Sequence, residues 1–232
     1  MGLNVYGDRR TLLSIGHGVD IASQRADDLD AMALRRIESL VEAGCEYPFA
    51  IDVASGAGGQ AIRMAMSGAD VLAIDSHDFS SEVYAGVSQN ELGGRVSFLQ
   101  WDMRELCDLN FGRSADIIVC QRAIHYFTYP AAVDIVAGFA GLIRDGGFLY
   151  LSASGIHSEL GENYCSSNDR LEIRYAELSA VMQEKHGILG PVCLYSEDDL
   201  VSLLSAAGFD LESVYSSAFG NIKAVGRKRV QR

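Results

Sequence analysis

No stretch of the 232 residues approaches the run of about 18 apolar side chains that a membrane-spanning helix needs. The opening MGLNVYGDRR also lacks the apolar core of a secretion signal. These two absences predict a soluble, cytoplasmic protein with no membrane partner. Five cysteines (Cys45, Cys107, Cys120, Cys165 and Cys193) lie far apart, are odd in number and form no C-x-x-C pair, which excludes a disulfide framework and a zinc knuckle. Most of them read as small buried apolar side chains, and no metal-ligand spacing occurs elsewhere. Basic residues are scarce, 19 against 31 acidic, for a net charge of −12. Such a surface repels phosphate backbones, so nucleic acid is disfavoured as a partner and a small molecule favoured. The one basic cluster, GRKRVQR at 226–232, reads as a solvated end. The oligomeric state stays open.

With 48% apolar residues and only three prolines, the chain is long enough for one large globular domain over 1–232. Strand-like runs rich in aliphatic and β-branched residues recur at 49–54, 70–75, 95–100, 115–120 and 147–153, with helical patterns between them. Alternation of this kind predicts an α/β fold: a Rossmann-like, doubly wound sheet, parallel in the main, with helices on both faces. A helix is expected at about 28–42, in an N-terminal segment 1–44, packing Leu29, Ala33, Ile37, Leu40 and Val41. A second, at 131–143, places Val133, Val136, Ala140 and Ile143 on one stripe. A third, at 196–207, opens with the capping-box pair Ser196 and Asp199. Gly220-Asn221 between two strand-like runs predicts a two-residue hairpin turn that adds an antiparallel strand. The least regular stretch, 155–195, carries a helical piece at about 170–185 and falls where a lid or acceptor-binding insertion would sit.

Residues 56–61, GAGGQA, satisfy the dinucleotide pattern G-x-G-x-x-G/A. An aspartate, Asp52, stands four residues before Gly56 at the end of the first strand. Beside a pyrophosphate it would be repelled, whereas it suits a ligand that carries an ammonium group and a sulfonium, as S-adenosylmethionine does. Asp75, followed by Ser76, closes the second strand, where a carboxylate can accept both ribose hydroxyls. Asp102 follows the third, placed to accept an adenine amino group while Met103 or Trp101 packs on the ring. Gln121 follows the fourth, beside the methionine arm. Four strand ends thus converge on one crevice. Each aspartate also has a plainer reading as a helix N-cap, and Ser55 one as a turn residue.

Here the chain resembles the class I S-adenosylmethionine-dependent methyltransferases over roughly residues 45–228. Their first motif, D-x-G-x-G-x-G, is matched from Asp52 through Ala54 and Ser55 to Gly56 and Gly58, with Ala54 in place of one glycine. The D-G-G before strand five and the final hairpin also fall where that family has them. The segment CQRAIHY at 120–126 is similar to one in messenger-RNA cap guanine-N7 methyltransferases, whose histidine and tyrosine help to hold the accepting base. The chain departs from that group in having Arg122 in place of an aromatic residue and Ala57 in place of a lysine.

The resemblance implies S-adenosyl-L-methionine as cofactor and an O, N or S atom of a small molecule as acceptor. Asp52, Ala54, Ser55, Gly56, Gly58, Asp75, Ser76, Asp102, Met103 and Gln121 would form the cofactor site; Arg122, His125 and Tyr126 would face the acceptor. A hydroxyl acceptor needs a base, for which His125 is the best candidate and His157 the next. His125 reads equally well as a packed histidine beside Tyr126. Three other readings remain open: a cap-type guanine-N7 methyltransferase, an NAD(P)-dependent oxidoreductase, and a non-catalytic protein that retains the fold.

Overall fold

The computed structural model describes residues 25–230. Residues 1–24 of the expected N-terminal helical segment, and 231 and 232 of the basic tail, lie outside them. Seven strands form one sheet in the order β3-β2-β1-β4-β5-β7-β6. They are β1 (Phe49–Val53), β2 (Asp70–Asp75), β3 (Val96–Gln100), β4 (Ala115–Cys120), β5 (Ile143–Ser154), β6 (Phe209–Ser216) and β7 (Asn221–Lys228). The first five pair in parallel, and β7 alone is reversed, antiparallel to both β5 and β6.

Side-chain alternation along the strands separates two cores. Ala50, Ile117 and Val119 face α1 (Asp28–Glu42), α2 (Gly59–Met66) and α3 (Ser80–Gln89) through Leu29, Ala33, Ile37, Met64 and Val83. Ile51, Val53, Ile118 and Cys120 face α4 (Tyr129–Leu142) and, further along the same layer, α6 (Glu197–Ala206). Period 2 in the strands and period 3.6 in the helices thus produce the three-layer sandwich directly. Strand order reverses between β1 and β4, whose last paired residues are Val53 and Cys120. A doubly wound sheet opens its ligand crevice at that reversal.

The structure moves several expected boundaries. The expected 131–143 helix begins at Tyr129, capped by Thr128 with a proline in its first turn, where the missing N–H costs nothing. Its buried face is Ala132, Ile135, Val136 and Phe139, and Ile143 already belongs to β5. Strand β5 therefore starts four residues early. Ala115 pairs with Ile143 and Ile117 with Phe148, so residues 144–147, which include the D-G-G, bulge from the ladder. A side chain at Gly147 would press on the Asp116 carbonyl at 2.9 Å. The hairpin turn is four residues, Ser217–Gly220, and not the two-residue Gly220-Asn221 turn. Asn221 is instead held in register opposite Ser154 on β5. Val41 is 37% exposed rather than packed. Only Cys120 and Cys193 are buried; Cys107 and Cys165 are exposed, so most of the cysteines are not core residues. Arg227 and Arg229 of the basic tail are engaged within the fold, Arg229 by Asp210 at 2.7 Å.

The 155–195 stretch contains 3-10 turns at Glu159–Gly161 and Leu171–Ile173 and one short helix, α5 (Ala180–His186), in place of a continuous piece at 170–185. It has its own apolar cluster of Leu160, Tyr164, Leu178, Met182, Ile188, Val192 and Leu194, against which Tyr126 packs. The insertion is thereby anchored beside the C-terminal end of β4.

Candidate active site

A cavity of about 1490 Å³ opens at the C-terminal ends of β1, β2 and β4. Its lining includes Asp52, Ala54, Ser55, Gly56, Asp75, Ser76, Asp102, Met103, Gln121, Arg122, His125 and Tyr126. Of the residues singled out from the sequence, only Gly58 does not line it. Gly58 caps α2 in a left-handed conformation (φ +79°), and a Cβ there would lie 2.7 Å from Val83 Cγ2. Its role is to let the loop turn tightly against α3.

Asp52 is 4% exposed, and its Oδ2 has no hydrogen-bond partner. Burial, reinforced by the nearby Asp30 charge, raises its pKa to about 8. The following loop runs through left-handed Ala54 (φ +57°) and Gly56 (φ +51°). Asp75 ties this loop to β2: its Oδ2 accepts from the Gly56 N–H at 2.9 Å and its Oδ1 from the His77 N–H at 3.0 Å. Each carboxylate oxygen keeps a free lone pair for a hydroxyl donor.

Phe79, Trp101, Met103 and Ile74 furnish an apolar wall near Asp75. Asp102 is the N-cap of the turn after β3, as its plainer reading expects, accepting from Arg104 N at 2.9 Å. The Arg104 guanidinium also grips it, at 2.5 Å from Nη2, and holds its carboxyl below the usual range despite partial burial.

Sequence reasoning missed the amino-terminal wall. Asp27 and Asp30 cap α1 reciprocally, Asp30 N donating to Asp27 Oδ1 and Asp27 N to Asp30 Oδ2, each at 3.0 Å. The Gln121 amide donates to both aspartates, and its Oε1 accepts from Ser152 Oγ at 3.1 Å. Buried Lys223 reaches across from β7 to Asp27 Oδ2 at 2.6 Å and to Asp28. Burial opposes ionisation of Asp27, but the bonds from Lys223 and the Asp30 backbone outweigh it and lower its pKa. Burial and the Asp27 charge raise that of Asp30. The D-x-x-D at 27–30 was legible as a capping box, and Lys223 as a charge inside an apolar strand; neither signal says that the two meet. Arg25 lines the same wall. Among the described residues no group of three or more His, Cys, Asp or Glu is arranged to hold a metal ion.

Arg122, His125 and Tyr126 converge beside this wall. Arg122 has φ +51°, held by two bonds from its N–H, to Ser152 O at 3.1 Å and Ser152 Oγ at 3.0 Å. His125 is 2% exposed; its Nδ1 accepts from Ser154 N and its Nε2 meets Ser154 Oγ, both at 3.4 Å. The His125 ring lies 4.2 Å from that of Tyr126, tilted by 41°. Burial raises the Tyr126 phenol well above its ordinary value, so it stays protonated. His157 and Tyr175 complete this side, with Tyr175 Oη donating to Tyr126 O at 3.0 Å.

Residues 50–147, from β1 into β5, match the family model of a methyltransferase domain. An O-methyltransferase family protein from Burkholderia thailandensis superposes with a TM-score of 0.61 at 17% identity, covering 88% of this chain and 58% of that one. An S-adenosylmethionine-dependent methyltransferase from Clostridium acetobutylicum gives 0.62 at 14% identity, covering 88% and 93%. The 1,6-didemethyltoxoflavin-N1-methyltransferase of Burkholderia thailandensis, with 1,6-didemethyltoxoflavin and S-adenosylhomocysteine bound, gives 0.59 at 19%, covering 85% and 79%. The chain therefore spans less than two thirds of the first of these and most of the other two. A comparison with curated proteins found no match. The fold is that of class I S-adenosylmethionine-dependent methyltransferases, and the likeness carried by the motifs holds in sequence over 50–147. No helix among the described residues is long and apolar enough to cross a membrane.

Proposed function

We propose that the protein transfers a methyl group from S-adenosyl-L-methionine to an O, N or S atom of a small molecule. The observation that carries this is Asp52: a buried carboxyl whose Oδ2 has no hydrogen-bond partner, in the wall of the cavity, just before a left-handed glycine loop. An isolated buried carboxylate is costly, and a cationic ligand group would offset that cost where a pyrophosphate would add to it.

The residues present fit that cofactor. Asp75 has acceptor capacity for two hydroxyls; Phe79, Trp101 and Met103 offer apolar surface to an adenine, and Asp102 stands beside them. Asp52 and the wall of Asp30 and Gln121 suit an amino-acid end. When bound, the sulfonium supplies a methyl group already activated for attack.

The chain's own contribution is alignment and exclusion of water. Ser152 fixes Arg122 and Gln121 together, while the insertion's cluster holds Tyr126 in place. A neutral ring nitrogen or a thiolate needs no base. For a hydroxyl acceptor, His125 is the candidate base, and because Ser154 engages both its ring nitrogens, one of these contacts must open before the ring can take a proton. Titration with S-adenosylhomocysteine and, in parallel, with NADH tests the reading. Binding of the first and not the second supports it; the reverse would assign the cavity to a nicotinamide cofactor.

A further inference from the structure

Five lysine and arginine side chains line the cavity, and four of them have partners. Arg104 is held by Asp102, Lys185 by Glu159 and Lys223 by Asp27 and Asp28, while Arg25 is also engaged. Arg122 differs. Among the described residues its guanidinium has no ion pair, and its Nε is buried without a hydrogen-bond partner. Leaving a charged donor buried and unsatisfied is unfavourable, and holding a non-glycine residue at φ +51° adds backbone strain. The fold maintains both, through two bonds from Arg122 N to the fully buried Ser152.

We infer that Arg122 determines acceptor specificity by taking a carboxylate carried by an aromatic acceptor. A carboxylate is planar and can accept from Nε and one Nη side by side, which would satisfy the orphaned Nε and neutralise the charge. Tyr126, Phe127 and Tyr175 line the same cavity and offer ring and apolar surface to an aromatic body. The protein's charge of −12 repels anions in general, so an acidic acceptor needs a local cation of this kind. The inference rests on the cavity being the methyl-transfer site, with Arg122 on its acceptor side.

The test uses wild-type protein first titrated with S-adenosylhomocysteine and then saturated with it. Benzoate, 2-hydroxybenzoate and 2-naphthoate are each titrated against the corresponding neutral amide by calorimetry. At least one acid should bind about tenfold or more tightly than its amide, as a charge-assisted bidentate contact implies. Arg122→Gln should erase that preference while leaving S-adenosylhomocysteine affinity unchanged and without lowering the melting temperature, and Arg122→Lys should restore part of it. Acids binding no better than amides would overturn the inference, as would no binding by any acid. A loss of S-adenosylhomocysteine affinity in Arg122→Gln would also overturn it, by assigning the guanidinium to the cofactor's own carboxylate. Failure of the wild type to bind S-adenosylhomocysteine at the first step would instead sink the methyltransferase reading itself.

Discussion

The Gly56 N–H donates to Asp75 Oδ2 across 2.9 Å, so the loop after β1 is fastened to the end of β2 before any ligand arrives. One carboxylate thereby shapes the loop and keeps acceptor capacity for a ribose. Asp75→Asn retains an oxygen for Gly56 but cannot accept from both hydroxyls. We expect S-adenosylhomocysteine affinity to fall by about 10–100-fold, for a loss of roughly 1.4–3 kcal/mol. Circular dichroism should be unchanged, and calorimetry reads the affinity.

Asp52 makes stability depend on pH in a direction opposite to that of most carboxylates. Its folded pKa of about 8 lies above the unfolded value of 3.8, so between these the folded protein holds a proton that the unfolded chain has released. Its contribution is therefore fully present below the unfolded pKa and declines as pH rises to about 8. Asp52→Asn should remove this slope, raising the melting temperature at pH 8 by at least about 3 °C and changing it little at pH 4. A cationic ligand reverses the preference by favouring the ionised form, so S-adenosylmethionine binding at pH 7 should release a proton. Titration in buffers of different ionisation enthalpy detects that release.

Lys223 gives the ordinary sign. It holds the Asp27 pKa below 3.8 against the effect of burial, so the contribution of the pair is present above that value and is lost as pH falls through the folded pKa. Lys223→Met leaves Asp27 and Asp28 uncompensated beside Asp30. We expect a loss of about 1–3 kcal/mol at pH 7, discounted from a fully buried pair because Asp28 is open to solvent. The loss should shrink below pH 4, which denaturant melts at the two pH values would show.

Two of the three left-handed positions of the loop, Ala54 and Gly58, should respond oppositely. Ala54→Gly relieves a Cβ at φ +57° and should stabilise by up to about 1 kcal/mol, with cofactor affinity retained. Gly58→Ala places a Cβ at φ +79° and 2.7 Å from Val83 Cγ2, and should destabilise by about 2 kcal/mol or more. Thermal melts of the two variants separate these outcomes.

The parallel half of the sheet was readable because its strands are short apolar runs between helical stretches, and the recurrence of Asp52, Asp75 and Asp102 at or just past the ends of those strands pointed to the cavity they line. Long-range polar contacts were not readable. Asp27 and Lys223 stand 196 residues apart, and nothing local to either indicates the other. The hairpin turn was misplaced because Gly220-Asn221 has the right chemistry for a tight turn, while pairing of Asn221 with Ser154 on β5 overrides it. The start of β5 was misplaced for a similar reason: Gly146 and Gly147 look like a stop, yet they form a bulge within the strand. Arg122 was legible as a candidate by position, but the isolation of its guanidinium emerges only from the partners of the other cations.

The most direct test of the central claim is calorimetric titration of the wild-type protein with S-adenosylhomocysteine at pH 7, repeated with Asp75→Asn. We predict one site per chain with micromolar affinity for the wild type and a clear loss in the variant. No binding by the wild type at high micromolar concentration, or equal binding by both proteins, would contradict the account.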